Sequence, residues 1–318
     1  MARPLRIEFL GAVYHVISRG NEGKAIFSSP QDRKKLLEYF LIAHQRYKIL
    51  IHAYCHMDNH YHILIETPLA NLSQAMQFIN SSYTTYYNRA HKRVGHFFQG
   101  RYKSILVDKE AYLLELSRYI HLNPVRAKLV DLPQEYKWSS YQYYCLSKRA
   151  PIFLTTDFTL NAFASSPANA SVLYKDYIYE GLGRDLPNPL EKVRAGIILG
   201  SDDFICHIKE TYLKKRKKGR DMPSLRELQV ERISPEFIKH CIRQSDEMNE
   251  KTRRKVFIYL LRKYTGEKLD EIVKRSSFRI SASAVSKIVT RLEMKRKQDE
   301  KLDKWIKGIE KELSNVKV

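Results

Sequence analysis

The chain has 318 residues, long for one ordinary domain and comfortable for two, and its 56 Lys+Arg against 35 Asp+Glu leave a net charge of +21 that both halves share. A surface of that sign favours polyanions, nucleic acid first, because each neutralised phosphate releases condensed counterions, and 21 tyrosines could supply rings that stack on exposed bases. Cys55, Cys145, Cys206 and Cys241 show no C-x-x-C spacing, no apolar run nears the roughly 20 residues that span a bilayer, and MARPLRIEFL lacks a signal-peptide core, so a zinc knuckle, a disulfide framework and a membrane partner are excluded and a reducing cytoplasm is expected.

From Gly11, GAVYHVISR alternates apolar and polar residues and predicts a strand, with a turn at Gly20 to Gly23. QDRKKLLEYFLIAHQRY follows as a helix that Ser29 caps and Pro30 opens. ILIHAYCHM and HYHILIE predict a hairpin turning at Asp58-Asn59. From the cap Asn71, LSQAMQFINSSYTTYYNRAHKR keeps Leu72, Met76, Ile79, Tyr83 and Tyr86 in helical register. GHFFQGRYKSILVD reads as a loop leading into a strand, and KEAYLLELSRYIHLN as a third helix that Pro124 ends. Strand, helix, hairpin, helix, strand, helix makes an α+β domain, a small antiparallel sheet with packed helices, over residues 1–148.

Pro, Ser, Asn and Gly then mark residues 149–190 as a connector, and 191–318 as a helical domain. KKRKKGR at 214–220 is either a phosphate grip or a solvated linker. KTRRKVFIYLLRKYTG is an amphipathic helix that Gly266 stops. KLDEIVKRSSFRISASAVSKIVTRLEMKRK reads as a helix-turn-helix in which Leu269, Ile272 and Val273 bury against Val285, Ile288 and Val289, and Ser281 or Ser283 caps the last helix. That helix offers Ser283, Ser286, Lys287, Thr290 and Arg291 to a DNA groove, or the unit is a small bundle for protein contact.

The chemistry centres on Tyr54 to Glu66, YCHMDNHYHILIE. His60 and His62, two apart on a strand, share one face with Cα atoms about 7 Å apart, while Tyr61 turns away. The pair can converge on a divalent ion, though two histidines on a strand are also an ordinary packing feature. Tyr119 and Asn123 are four apart on the third helix and leave one face together, a phenol that can attack beside an amide oxygen that can bind a cation. Two imidazoles and one oxygen suit Mg²⁺ or Mn²⁺, and imidazole alone would also accept zinc. His15, His52 and His56 read as packing residues, and Tyr83, Tyr86 and Tyr87 as helix packing rather than a second nucleophile.

YHVISRGN, YCHMDNHYHILIE, HFFQGRYKS, RYIHLNPVRAKLV and WSSY, in that order over about residues 1–145, together resemble the HUH-type single-tyrosine transposases, most closely the REP-associated tyrosine transposases. The resemblance implies a ferredoxin-like or RRM-like fold, binding of hairpin DNA, and endonuclease and strand-transfer activity on single-stranded DNA through a transient 5′-phosphotyrosine. It casts Tyr119 as nucleophile, His60, His62 and Asn123 as metal ligands, and Arg19, Arg101 and Lys103 as backbone grips for DNA. The middle residue of the HUH triplet is usually bulky and hydrophobic, and Tyr61 adds a hydroxyl to that. His121 or a metal-bound water is the expected acceptor of the Tyr119 proton. Two competing readings are a non-catalytic hairpin-DNA-binding protein of the same fold and a zinc hydrolase or ribonuclease, and nothing in the sequence chooses between monomer and homodimer.

Overall fold

The computed structural model describes residues 6–145, 148–184, 186–213, 235–243, 248–265, 269–275 and 281–315. The chain divides into two compact units, Met1–Ser224 and Leu225–Val318.

In the first unit β1 (Ala12–Arg19), α1 (Pro30–Tyr47), β2 (Leu50–His56), β3 (His60–Thr67), α2 (Leu72–Ala90), β4 (Lys103–Val107) and α3 (Lys109–Arg126) follow in order. The sheet runs β2-β3-β1-β4, every pair antiparallel. This βαββαβ order with β3 and β1 central is the ferredoxin-like arrangement. Side chains alternate across it. Val13, Ala53, Cys55, Leu64, Ile105 and Val107 face one side and pack on Leu113, Leu116 and Ile120 of α3. Tyr54 and Tyr61 face the other, where Phe40 of α1 meets both rings edge-on. Burying Leu36 and Phe40 there, both fully covered, stabilises the unit by about 1.5–3 kcal/mol each.

The helix starts follow from local chemistry. Ser29 and Asp32 form a reciprocal capping box over the first turn of α1, with Pro30 at the first helical position. Asp108 caps α3 by accepting from the Ala111 amide. Pro124 does not end α3, which continues to Arg126. The proline falls in the last turn, where its missing N–H costs one bond, and the Ala127 amide still reaches the Asn123 carbonyl.

The connector expected over 149–190 is instead packed structure of the first unit. The Ile51 amide donates to the Phe153 carbonyl and the Thr155 amide to the Ile51 carbonyl, extending the backbone pairing at β2. Two further helices, α4 (Gln142–Cys145) and α5 (Asp157–Asn161), lead to α6 (Pro167–Tyr179), whose Tyr174 stacks on Tyr144 with ring centroids 4.8 Å apart. Ala170, Tyr174 and Ile178 recur every four residues and supply the buried stripe that the polar composition hides. Beyond them β5 (Ile198–Leu199) adds a parallel fifth strand beside β4, followed by α7 (Asp202–Ile208). The helical domain expected from residue 191 therefore begins later. The basic run 214–220 lies outside the described residues.

The second unit is helical in its described residues: α8 (Pro235–Arg243), α9 (Glu250–Tyr264), α10 (Leu269–Arg275), α11 (Ala282–Arg296) and α12 (Glu300–Asn315). Ile272 and Val285 are fully buried in one core with Leu260, Ile306 and Leu313, and Leu269, Val273, Ile288 and Val289 pack against it. Ser281 caps α11 by accepting from the Ala284 amide. Arg296 ties the helices together by donating to the Tyr259 hydroxyl, Asp303 and Glu310. Gly266 and the turn residues 276–280 lie outside the described residues. No described helix is long and apolar enough to cross a membrane.

Candidate active site

The register of the two central strands builds the site. Ile17 of β1 stands opposite His62, Arg19 opposite His60, and Lys103 of β4 opposite Ile17. Directly opposed residues share a sheet face, so His60, His62, Arg19 and Lys103 all point toward the α3 side. The Nε2 atoms of His60 and His62 lie 3.0 Å apart. Tyr119 on α3 meets the His62 ring edge-on at 6.0 Å and the His15 ring at 6.1 Å. Strand and helix, separated by some sixty residues of chain, thus converge on one face of the sheet. The Tyr61 hydroxyl, on the opposite face, donates to Asn80 Oδ1 at 2.5 Å, so its extra polar atom is satisfied away from the histidines.

The His60 and His62 imidazoles fit a cation. Asn59 Nδ2 donates to the Gly23 carbonyl, which turns Asn59 Oδ1 toward His60 Nδ1 at 2.6 Å. That oxygen can only accept, so His60 carries its proton on Nδ1 and its Nε2 is a lone pair aimed at His62. Burial, followed by Arg19, lowers the His60 pKa, and burial followed by His15 and His60 lowers that of His62. Both rings are therefore neutral donors to a cation. Asn123 donates from Nδ2 to the Tyr119 carbonyl at 3.1 Å, so Oδ1 is the atom it would offer a cation. No group of three His, Cys, Asp or Glu side chains suited to a metal occurs among the described residues.

Burial raises the Tyr119 pKa, and Arg126 and Asn123 pull against it. The Arg126 guanidinium lies 5.1 Å from the Tyr119 ring centre. Arg19 and Lys103 are exposed beside the histidines, whereas Arg101 is exposed next to Arg6 and Tyr102. Ser286, Lys287 and Arg291 are exposed on α11, in the other unit.

His121 is not positioned to take the Tyr119 proton. Two residues along a helix turn a side chain to another face, and there His121 is fully buried, bonded to the Tyr174 hydroxyl at 2.8 Å and Ser140 Oγ at 2.7 Å. Burial pushes its pKa down to about 3. Two neighbours of the site escaped the sequence reading. Arg126 follows Tyr119 by seven residues and Asn123 by three, a spacing that marks one helical face. His15 touches His62 only because of strand register, which the sequence does not display.

Two imidazoles are thus paired on a central strand of the sheet, with a helix-borne tyrosine over the same face. Residues 9–123 match the family model described as "Transposase IS200 like". A solved structure described as a REP-associated tyrosine transposase bound to a REP hairpin is also similar, with a TM-score of 0.41 and 16% identity over 49% of this chain and 93% of that one. No curated protein matches the chain.

Proposed function

We propose that the first unit is a metal-dependent endonuclease and strand transferase for single-stranded DNA, that it recognises hairpin DNA, and that it works through a transient 5′-phosphotyrosine on Tyr119. The observation that carries this reading is the convergence of the His60 and His62 Nε2 atoms, 3.0 Å apart, with the Tyr119 ring on one face of the sheet. His60, His62 and Asn123 would hold Mg²⁺ or Mn²⁺, which supplies Lewis-acid polarisation of a non-bridging phosphate oxygen. Tyr119 Oη forms a bond to phosphorus as the bond from phosphorus to the 3′ oxygen breaks. The phenol proton passes to water, and the departing oxygen takes one up to leave as a 3′-hydroxyl. The ester conserves the bond for rejoining when a 3′-hydroxyl attacks in the reverse sense. Arg19 and Lys103, exposed beside the histidines, would hold the strand by its phosphates.

In the second unit, α10 and α11 serve as a helix-turn-helix for duplex DNA, with Ser286, Lys287 and Arg291 on the groove-facing side. Their joint exposure on α11 supports this reading.

The test is cleavage of hairpin oligonucleotides bearing single-stranded flanks, with Mg²⁺ or Mn²⁺, by the full chain and by His60→Ala and His62→Ala. Metal-dependent nicking lost in both variants supports the enzyme. Tight hairpin binding with no nicking under any divalent ion would make the protein a non-catalytic hairpin binder.

A further inference from the structure

His62 has a neighbour at each nitrogen: His60 Nε2 at 3.0 Å from its Nε2, and His15 Nε2 at 2.9 Å from its Nδ1. A neutral imidazole has one N–H and one lone pair, so these contacts cannot both be donated by His62. With its proton on Nε2, His62 donates to the His60 lone pair and the pair is closed to an ion. With its proton on Nδ1, the Nε2 lone pair is open, and His15 must then accept.

We propose that His15 is the positioning residue of the metal site, accepting the Nδ1–H of His62 so that both Nε2 lone pairs face one cation. The inference rests on the reading of His60 and His62 as ligands. Three features of His15 support it. It is a diagonal neighbour of His62 across the strands, since His15 stands opposite Leu64 while Ile17 stands opposite His62. The two rings are within 12° of coplanar with centroids 5.1 Å apart, as two imidazoles joined end to end through an in-plane hydrogen bond must be, and not layered face on face. His15 is also fully buried, and among the described residues its Nδ1 has no hydrogen-bond partner. That orphaned atom is where the His15 proton sits when Nε2 accepts. A buried group left unpaired on one side, beside a fully paired His62, is the signature of a side chain kept for what its other end does.

His15 does not touch the ion. Its role is that of the carbonyl or carboxylate that commonly receives the distal N–H of a metal-binding histidine, here taken by a neutral ring.

Titration calorimetry with Mn²⁺ alone tests this on the full chain, comparing wild type with His15→Gln, His15→Phe and His62→Ala and following the fold of each by thermal melting. His15→Phe keeps a ring but removes the acceptor, and weakens Mn²⁺ binding about 10–100-fold; His15→Gln restores an acceptor oxygen and stays within about threefold of wild type. Long-range ¹⁵N NMR of the native protein saturated with Mg²⁺ reads the proton directly and finds it on Nδ1 of His62. Equal affinity in His15→Phe, an equal loss in His15→Gln, or a His62 proton on Nε2 in the Mg²⁺ form each overturn the role of His15. Wild-type protein that binds Mn²⁺ no better than His62→Ala overturns the ligand assignment itself, and His15 with it.

Discussion

The guanidinium of Arg126 stands 5.1 Å from the ring centre of Tyr119, one face of α3 carrying both. Burial makes the phenol harder to ionise, and the nearby positive charge offsets part of that cost. Because Arg126 itself reaches solvent, water screens the attraction. Replacing it with Gln therefore raises the Tyr119 pKa further, and the alkaline rise in the rate of adduct formation moves to higher pH. At neutral pH the rate falls about two- to fivefold, equivalent to about 0.5–1 kcal/mol. Lysine at this position recovers part of the loss. The readout is the pH profile of single-turnover adduct formation with a hairpin oligonucleotide.

His121 makes the opposite prediction. Its two ring nitrogens join Ser140 and Tyr174 in a buried network that anchors α6 to the first unit. His121→Leu leaves polar partners buried and costs about 2–3 kcal/mol of stability by denaturant unfolding, yet adduct formation per folded molecule is unchanged.

Asp32 offers a pH test of the fold. Burial would raise its pKa, but hydrogen bonds from His91 and from the Ser28 and Ser29 amides outweigh that and hold it below the usual carboxylate range. A depressed folded pKa means that the stabilisation is complete above the unfolded value, about 3.9, and is lost as pH falls through the folded value. Asp32→Ala removes the capping box and lowers stability at neutral pH by about 1–3 kcal/mol. In thermal melts the gap between wild type and variant narrows below about pH 4 as the wild-type carboxylate protonates.

What the sequence displayed and what it withheld divide along physical lines. The relation of Tyr119 to Asn123 is set by helix geometry, and that of His60 to His62 by strand alternation, so local spacing was enough for both. Ser29 and Asp32 announce a helix start for the same reason. Register between strands has no local signal, and it alone brings His15 to His62. Tyr174 was hidden differently: its segment is rich in Ser, Asn and Pro, and the four-residue recurrence of Ala170, Tyr174 and Ile178 is too sparse to stand out against that background. Pro124 misled because a proline in a last turn costs only one bond. His121 shows the limit of proximity along the chain, since two residues from Tyr119 is a different face of the helix.

For the second unit, the exposed face of α11 carries a salt-dependence prediction. If Lys287 and Arg291 meet DNA phosphates, changing either to Ala weakens duplex binding across all sequences and reduces the slope of log affinity against log salt by about 1. Fluorescence anisotropy over a salt series measures both effects. An unchanged slope in the double variant would place duplex binding elsewhere.

The central claim is that Tyr119 becomes covalently joined to DNA. Incubating the full chain with hairpin oligonucleotides labelled on the 3′ side of the cleavage site, in Mg²⁺ or Mn²⁺, and then denaturing it should yield a labelled protein whose modified peptide contains Tyr119 in mass spectrometry. Tyr119→Phe should fold as wild type and yield none. Cleavage that persists in Tyr119→Phe, or an adduct that maps to another residue, would contradict the assignment.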